Sequence, residues 1–233
     1  MASGDNAAII VAAGRSERMA GDDKLWAAIV GPDGRARPLL AYAIAEFEAC
    51  AAVARIALVV AQDKLEQARA LASEERLDKV CAVVPGGTRR QDSVRAGLDA
   101  IGACDYVVVH DGARPLVTRQ LIEDTLAAAR ETGASCCAIL VPDTVKEASE
   151  GYITRTLDRS RLMLAQTPQA FRCDLLVDAH RRAEGDATDD AALVEALGVR
   201  VRIIPGSPRN IKVTTPGDLA FVRALIAETP DRV

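Results

Sequence analysis

Three glycine-bearing segments hold the side chains whose types and spacing suggest chemistry. The first, "AAGRSERMAGDDK", follows the apolar run Ala7–Ala13 and carries Arg15, Arg18 and Lys24 within ten positions. Beside these cations, Ala12, Ala13 and Gly14 are small enough for backbone N–H groups to approach a ligand closely. The second, "PGGTRRQDS", joins the turn formers Gly86 and Gly87 to the donors Arg89, Arg90 and Ser93. The third, "VVVHDGARP", sets Asp111, Gly112 and Arg114 just past an apolar run. Each alone reads equally well as a turn or a helix cap. Together they suit an anionic ligand gripped by a few placed cations. Walker A (GxxxxGK[ST]) and dinucleotide (GxGxxG) fingerprints are both missing. His110 reads as a satisfied structural histidine, and Trp26 and Met19 as packing residues.

Elements must bring these segments to one place. Continuous apolar runs at Ala7–Ala13, Ile56–Ala61, Val80–Val84, Tyr106–Val109 and Ala138–Val141 predict strands buried on both faces. Helical patterns at Leu39–Cys50, Lys64–Leu71, Gln91–Ile101 and Thr118–Thr132 alternate with them. That rhythm predicts an α/β fold, a mostly parallel sheet with helices on both faces, and ligands at the carboxyl ends of its strands. After Val141 the rhythm breaks. Thr144–Lys146 and Tyr152–Thr156 flank "EASEGY" and predict a protruding β-hairpin arm at about 142–161. A lone hairpin is marginal in water, so a second subunit is the expected support. Helices at about Cys173–Ala183, Asp189–Leu197 and Pro216–Ala227 and a strand Val199–Ile204 complete the pattern, with Thr215 capping the last helix. One domain spanning 1–233 with an arm is expected. "QTPQAF", "TDDAALVEALG" and "NIKVTTPGDL" add polar clusters after apolar stretches.

Composition narrows the partner. The 29 Lys+Arg stand against 33 Asp+Glu, a formal charge of −4 that argues against a general nucleic-acid binder. At 3% aromatic residues there is no base-stacking platform. The six cysteines form no CxxC pair and mostly sit in apolar runs such as "ASCCAIL", which reads as reduced core thiols. The first nineteen residues carry no basic n-region, and their apolar run is too short to span a bilayer, so the expected location is cytoplasmic.

The ordered motifs give the chain a resemblance to the 2-C-methyl-D-erythritol 4-phosphate cytidylyltransferases of the non-mevalonate isoprenoid pathway. The family pattern AAGxGxRM…PK resembles "AAGRSERM…DDK", GGxxRxxSV resembles "GGTRRQDSV", and HDAARP resembles "HDGARP". "DTVK", "TLDR", "QTPQ", "TDDA" and "NIKVT" follow in family order, from about Ala7 to Leu225. Ser16 and Asp23 depart from it, standing where the family has glycine and proline.

The resemblance implies a Rossmann-like nucleotide-diphospho-sugar transferase fold and a homodimer that exchanges the arm. It places Ala12, Ala13, Gly14, Gly87, Arg90 and Ser93 around the cytosine and ribose of CTP, with backbone carbonyls reading the exocyclic amine. Asp111 is implied as a ribose or Mg²⁺ contact, and Gly112 as a point of close backbone approach. Arg18 and Lys24 are implied as the groups that stabilise charge on the α-phosphate. Arg159 and Lys212 are implied at the phosphate of methylerythritol phosphate, with Thr144, Thr167 and Arg114 nearby. Arg159 lies between Arg155 and Arg161, and by itself reads equally as a solvated face. Mg²⁺, carried mainly by the CTP phosphates, is the implied cofactor. Two other readings are open on sequence alone: a ribitol 5-phosphate cytidylyltransferase, and a nucleotide-binding domain without catalysis.

Overall fold

The computed structural model describes residues 5–14 and 23–228. Arg15, Ser16, Arg18 and Met19 lie outside the described residues.

The first strand, β1 (Asn6–Ala12), is an interior strand of a seven-stranded sheet. A short antiparallel pair, β2 (Ala28–Val30) and β3 (Ala36–Pro38), leads into α1 (Leu39–Glu48). Then come β4 (Arg55–Val60), α2 (Leu65–Glu74), β5 (Val80–Pro85), α3 (Arg90–Ile101) and β6 (Tyr106–Asp111). Next are α4 (Arg119–Thr132), β7 (Ala134–Leu140), the hairpin β8 (Lys146–Ser149) and β9 (Tyr152–Thr156), and the long β10 (Met163–Arg172). The chain closes with α5 (Cys173–Arg182), α6 (Asp190–Glu195), β11 (Arg202–Pro205) and α7 (Pro216–Ala227). Strand order across the sheet is β11-β7-β10-β6-β1-β4-β5. β10 runs antiparallel to both neighbours, and all other pairs are parallel.

Both faces of β1 are buried except at the half-buried Val11, and its alternation divides the core. Ala8 and Ile10 join α1, α2, α4 and α7, whereas Ala7 and Ile9 join α3, α5 and α6. α3 approaches β1 closely because position 97 is glycine. A Cβ there would lie 2.5 Å from Ile9 Cγ2, and Ile9 has no exposed surface. Gly97→Ala should therefore destabilise the protein by about 1–2 kcal/mol, because overpacking outweighs alanine's better helix propensity. A urea midpoint at or above that of the unsubstituted protein would contradict this.

The expected α/β architecture and the hairpin are present. Three boundaries and one unforeseen strand differ for identifiable reasons. The strand expected at Ala138–Val141 starts four residues earlier, because Gly133 (φ 86°) ends α4 in the left-handed region and the chain enters β7 at once. The hairpin's first strand begins at Lys146, because a two-residue turn at Glu150 (φ 51°) and Gly151 (φ 84°) sets the register Ser149 opposite Tyr152. β11 is confined to Arg202–Pro205 where it pairs with β7, so the expected strand from Val199 is shorter. β10, with polar residues and a proline at its middle, carries little strand signal, and the sequence marks it only by the polar cluster "QTPQAF". Lys146 bonds the Thr156 hydroxyl at 2.7 Å, and Arg155 takes Glu147.

Candidate active site

The carboxyl ends of β1, β5 and β6 meet the amino end of α3. Gly112 N donates to Val11 O at 2.9 Å, and Gly86 N to Val60 O at 2.8 Å, so the loops after β6 and β5 are pinned to the ends of their neighbours β1 and β4. A Cβ at Gly86 would lie 2.3 Å from Ala13 Cβ, and one at Gly112 would lie 2.7 Å from Leu40 Cδ1. A side chain at Gly86 would collide with Ala13 Cβ, which cannot turn aside, whereas one at Gly112 would have to displace the buried tip of Leu40. Ser93, in the first turn of α3, accepts from Gly87 N at 3.2 Å. Ala12, Ala13, Gly87 and Ser93 thus share one cradle whose wall is a helix N-terminus, a natural seat for phosphate oxygens. Gly14 follows, exposed, at the edge of the described segment.

Lys24 lies on the turn that leads to β2. Asp23 makes that turn locally: its carboxylate accepts Leu25 N at 3.2 Å and its carbonyl accepts Trp26 N at 3.0 Å. An aspartate therefore closes this turn with its own side chain. Leu25 O accepts Leu40 N at 3.0 Å, and Leu40 packs beneath Gly112, so the turn is held at the same sheet edge. Trp26 packs against the core with Lys64 5.9 Å from its ring centroid.

Beside the cradle, a cleft of about 220 Å³ is lined by Arg90, Asp111, Arg114, Thr167 and Lys212, with Thr188 and Asp189 on its far side. Asp111 ends β6 with both carboxylate oxygens engaged: Arg90 Nε at 3.0 Å on one, Lys212 Nζ at 2.7 Å on the other. Burial pushes this carboxyl up, but Arg90 and Lys212 outweigh it and hold it well below the ordinary carboxylate range. Lys212 keeps 41% of its side chain exposed, toward the cleft it lines. Arg114 is nearly buried, donating to Asn210 O at 2.7 Å, while its Nε has no protein partner. Thr167 stands where the pairing of β10 with β7 shifts between Ala165 and Gln169, and its hydroxyl accepts Asp111 N at 3.0 Å.

His110 is structural in this geometry. Its Nε2 faces Arg114 O at 3.2 Å, its Nδ1 faces the Thr167 hydroxyl at 3.2 Å, and its ring lies 5.1 Å from that of Phe47. Burial pushes its imidazole down to about 4. An unfolded chain binds that proton near pH 6.5. Between those values the unfolded state holds more protons, so stability falls as pH drops through the window. From pH 7.5 to 4.5 this amounts to about 2–3 kcal/mol. His110→Gln should lose that much less in urea unfolding over the same range; an unchanged pH slope would refute it.

Thr144 and Arg159 do not line the cleft of their own chain. Both are exposed at the base of the hairpin, where Arg159 donates to Pro142 O. The sequence reading passed over Asp190, His180, Gln166 and Asn210, all buried behind the cleft. The second aspartate of "TDDA" was the available signal. Burial pushes Cys136 and Cys137 up to about 12, as suits core thiols, whereas Cys81 is exposed.

A family model described as 2-C-methyl-D-erythritol 4-phosphate cytidylyltransferase matches residues 6–228. The chain belongs to that family. A 2-C-methyl-D-erythritol 4-phosphate cytidylyltransferase from Dehalococcoides mccartyi is 46% identical over 220 residues, covering 94% of this chain and 95% of the relative. The solved 4-diphosphocytidyl-2C-methyl-D-erythritol synthase from Anaerococcus prevotii superposes with a TM-score of 0.81 at 28% identity, covering 96% of each chain. The cytidylyltransferase structure from Thermus thermophilus gives 0.76 at 33% identity, covering 94% of this chain and 97% of that one. Membership makes the chain a nucleotidyltransferase of isoprenoid precursor synthesis. Among the described residues no helix is long and apolar enough to cross a membrane.

Proposed function

We propose that the chain transfers a cytidylyl group from CTP to the phosphate of 2-C-methyl-D-erythritol 4-phosphate, giving 4-diphosphocytidyl-2-C-methyl-D-erythritol and pyrophosphate. The observation that carries this reading is the pair Lys212 and Arg114, set in a cleft beside the cradle of Ala13, Gly86 and Ser93. One anionic group can sit on the cations while a triphosphate lies against the N-terminus of α3. A phosphate oxygen of the polyol attacks the α-phosphorus, the new P–O bond forms, and the bond to the β-phosphate oxygen breaks with its electron pair. The attacking oxygen is already anionic at pH 7, so no general base is needed. The occupied ring nitrogens of His110 fit that requirement. Alignment and charge stabilisation then do the work, with Lys24 and Arg18 at the α-phosphate.

A divalent cation would neutralise triphosphate charge in this reaction. Among the described residues no three His, Cys, Asp or Glu side chains gather as a metal site. Both oxygens of the Asp111 carboxylate are already held by Arg90 and Lys212, so the fit is to a cation carried by the phosphates of the nucleotide itself.

The hairpin supports a homodimer. Tyr152 and Ile153 are 78% and 67% exposed on a two-stranded arm, and Leu140 at its base is 70% exposed. Exchange of arms would bring Thr144 and Arg159 to the neighbouring cleft. Pyrophosphate release from CTP and Mg²⁺ with each polyol phosphate tests the assignment: turnover with methylerythritol phosphate is expected, and turnover with ribitol 5-phosphate alone would overturn it. An active monomer in sedimentation at assay concentration would refute the exchange.

A further inference from the structure

Behind the cleft, Asp190 opens α6 with only 1% of its side chain exposed. One oxygen takes Arg90 Nη1 at 2.6 Å and the other takes His180 Nε2 at 3.0 Å. Arg90 reaches on to Asp111, which holds Lys212. The line His180–Asp190–Arg90–Asp111–Lys212 therefore joins α5, α6, α3 and β6 to the segment before α7, and it runs from the buried His180 to Lys212, its most exposed member.

We propose that Asp190 and His180 are positioning residues for the acceptor phosphate, acting through Arg90 and Asp111 on the Lys212 ammonium. Docking of α3 against α5 and α6 does not depend on this line. Gln91 already clamps that junction through Gly185 O at 3.0 Å and Ala187 N at 2.9 Å, and Arg95 donates to His180 O. The line instead fixes the direction of one guanidinium. Arg90 is turned so that two carboxylates claim its Nε and Nη1, although Nη2 is then buried without a partner. Leaving a buried donor unmet is costly, so the orientation is one that the two acids impose. His180 in turn fixes Asp190: with its second oxygen held, the carboxylate cannot rotate away from Arg90. Without that hold Arg90 relaxes, Asp111 loses its fixed rotamer, and Lys212 is no longer presented in one place.

The inference rests on Lys212 contacting the acceptor phosphate, and the experiment separates the two ideas. His180→Leu, His180→Gln and Asp190→Asn are compared with Lys212→Ala under steady-state conditions at temperatures where circular dichroism shows each folded. His180→Leu should raise KM for methylerythritol phosphate roughly 10-fold or more, in line with the roughly 10–100-fold losses that follow removal of the outer hydrogen-bond partner of a metal-ligating side chain. KM for CTP should stay within about threefold, because the line ends at the acceptor. His180→Gln keeps an N–H donor and should recover most of the loss, which a purely structural role would not produce. Asp190→Asn should fall with His180→Leu and carries the test if the leucine variant does not fold. If Lys212→Ala raises that KM and neither of these two variants does, the proposal fails alone. If the glutamine variant is no better than leucine, it also fails. If Lys212→Ala leaves the KM unchanged, the reading of the cleft fails and the proposal with it.

Discussion

Replacing Lys24 by alanine should lower kcat about 100- to 1,000-fold while weakening CTP binding far less. The reaction builds no new nucleophile, so its barrier is set by alignment and by negative charge gathering on the α-phosphate as pyrophosphate departs. A cation fixed near that charge acts mainly in the transition state. Loss of one such donor in other sites costs about 2.7–4 kcal/mol. Lys24 is suited to the role because its turn is held at both ends: Asp23 closes it at the start, and Leu25 ties it to α1. An ammonium on a fixed turn costs little reorganisation when charge develops. Steady-state kinetics together with calorimetric CTP binding measure the split. A variant with unchanged kcat and a raised KM for CTP would assign Lys24 to ground-state binding and remove it from this role.

The parallel part of the fold was legible because its strands are buried on both faces and read as unbroken apolar runs. Asn6–Ala12 and Arg55–Val60 have no solvent-facing register to confuse the pattern. β10 was not legible for the opposite reason. It is antiparallel, interrupted at Gln166–Gln169, and its polar side chains are satisfied only by partners distant in sequence, such as Gln169 on Asp189 and Gln166 on Ser207. The site divides in the same way. Motif glycines and cations mark the loops at the carboxyl ends of the strands, and the structure brings Ala13, Gly87, Ser93, Asp111, Arg114, Thr167 and Lys212 to one edge. What local sequence cannot display is pairing. Arg90 reads as a ligand contact, yet its Nε and Nη1 are committed to Asp111 and Asp190, the second of these 100 positions away. Asp23 is the converse case: a departure from the motif that the fold absorbs through a side-chain turn.

Asp111→Asn should be the most damaging isosteric change in the chain, costing about 3 kcal/mol of stability and raising KM for the acceptor at least 10-fold. The amide keeps the carboxylate's shape but retains one acceptor and turns a donor toward a cation. Either Arg90 or Lys212 then faces N–H instead of O⁻. Breaking a buried pair by removing one partner costs about 3–5 kcal/mol. The lower end applies here, because Lys212 is 41% exposed and can turn to water. Arg90, 21% exposed and tied to Asp190, has no such escape. The pH dependence carries the sign. The folded Asp111 carboxyl lies well below its ordinary value, so its contribution is complete above about pH 3.9 and is lost as pH falls toward the folded value. The stability gap between wild type and variant should therefore stay constant from pH 7 to 4.5 and narrow only in stronger acid. The Asp111 charge is part of what keeps the His110 imidazole from falling below about 4, so the variant lowers it further; both folded values lie below this window, and the gap changes little before pH 4.5. A gap below about 1 kcal/mol at pH 7, or one that persists undiminished to pH 2.5, would show that Asp111 is not the electrostatic centre on which Arg90 and Lys212 converge.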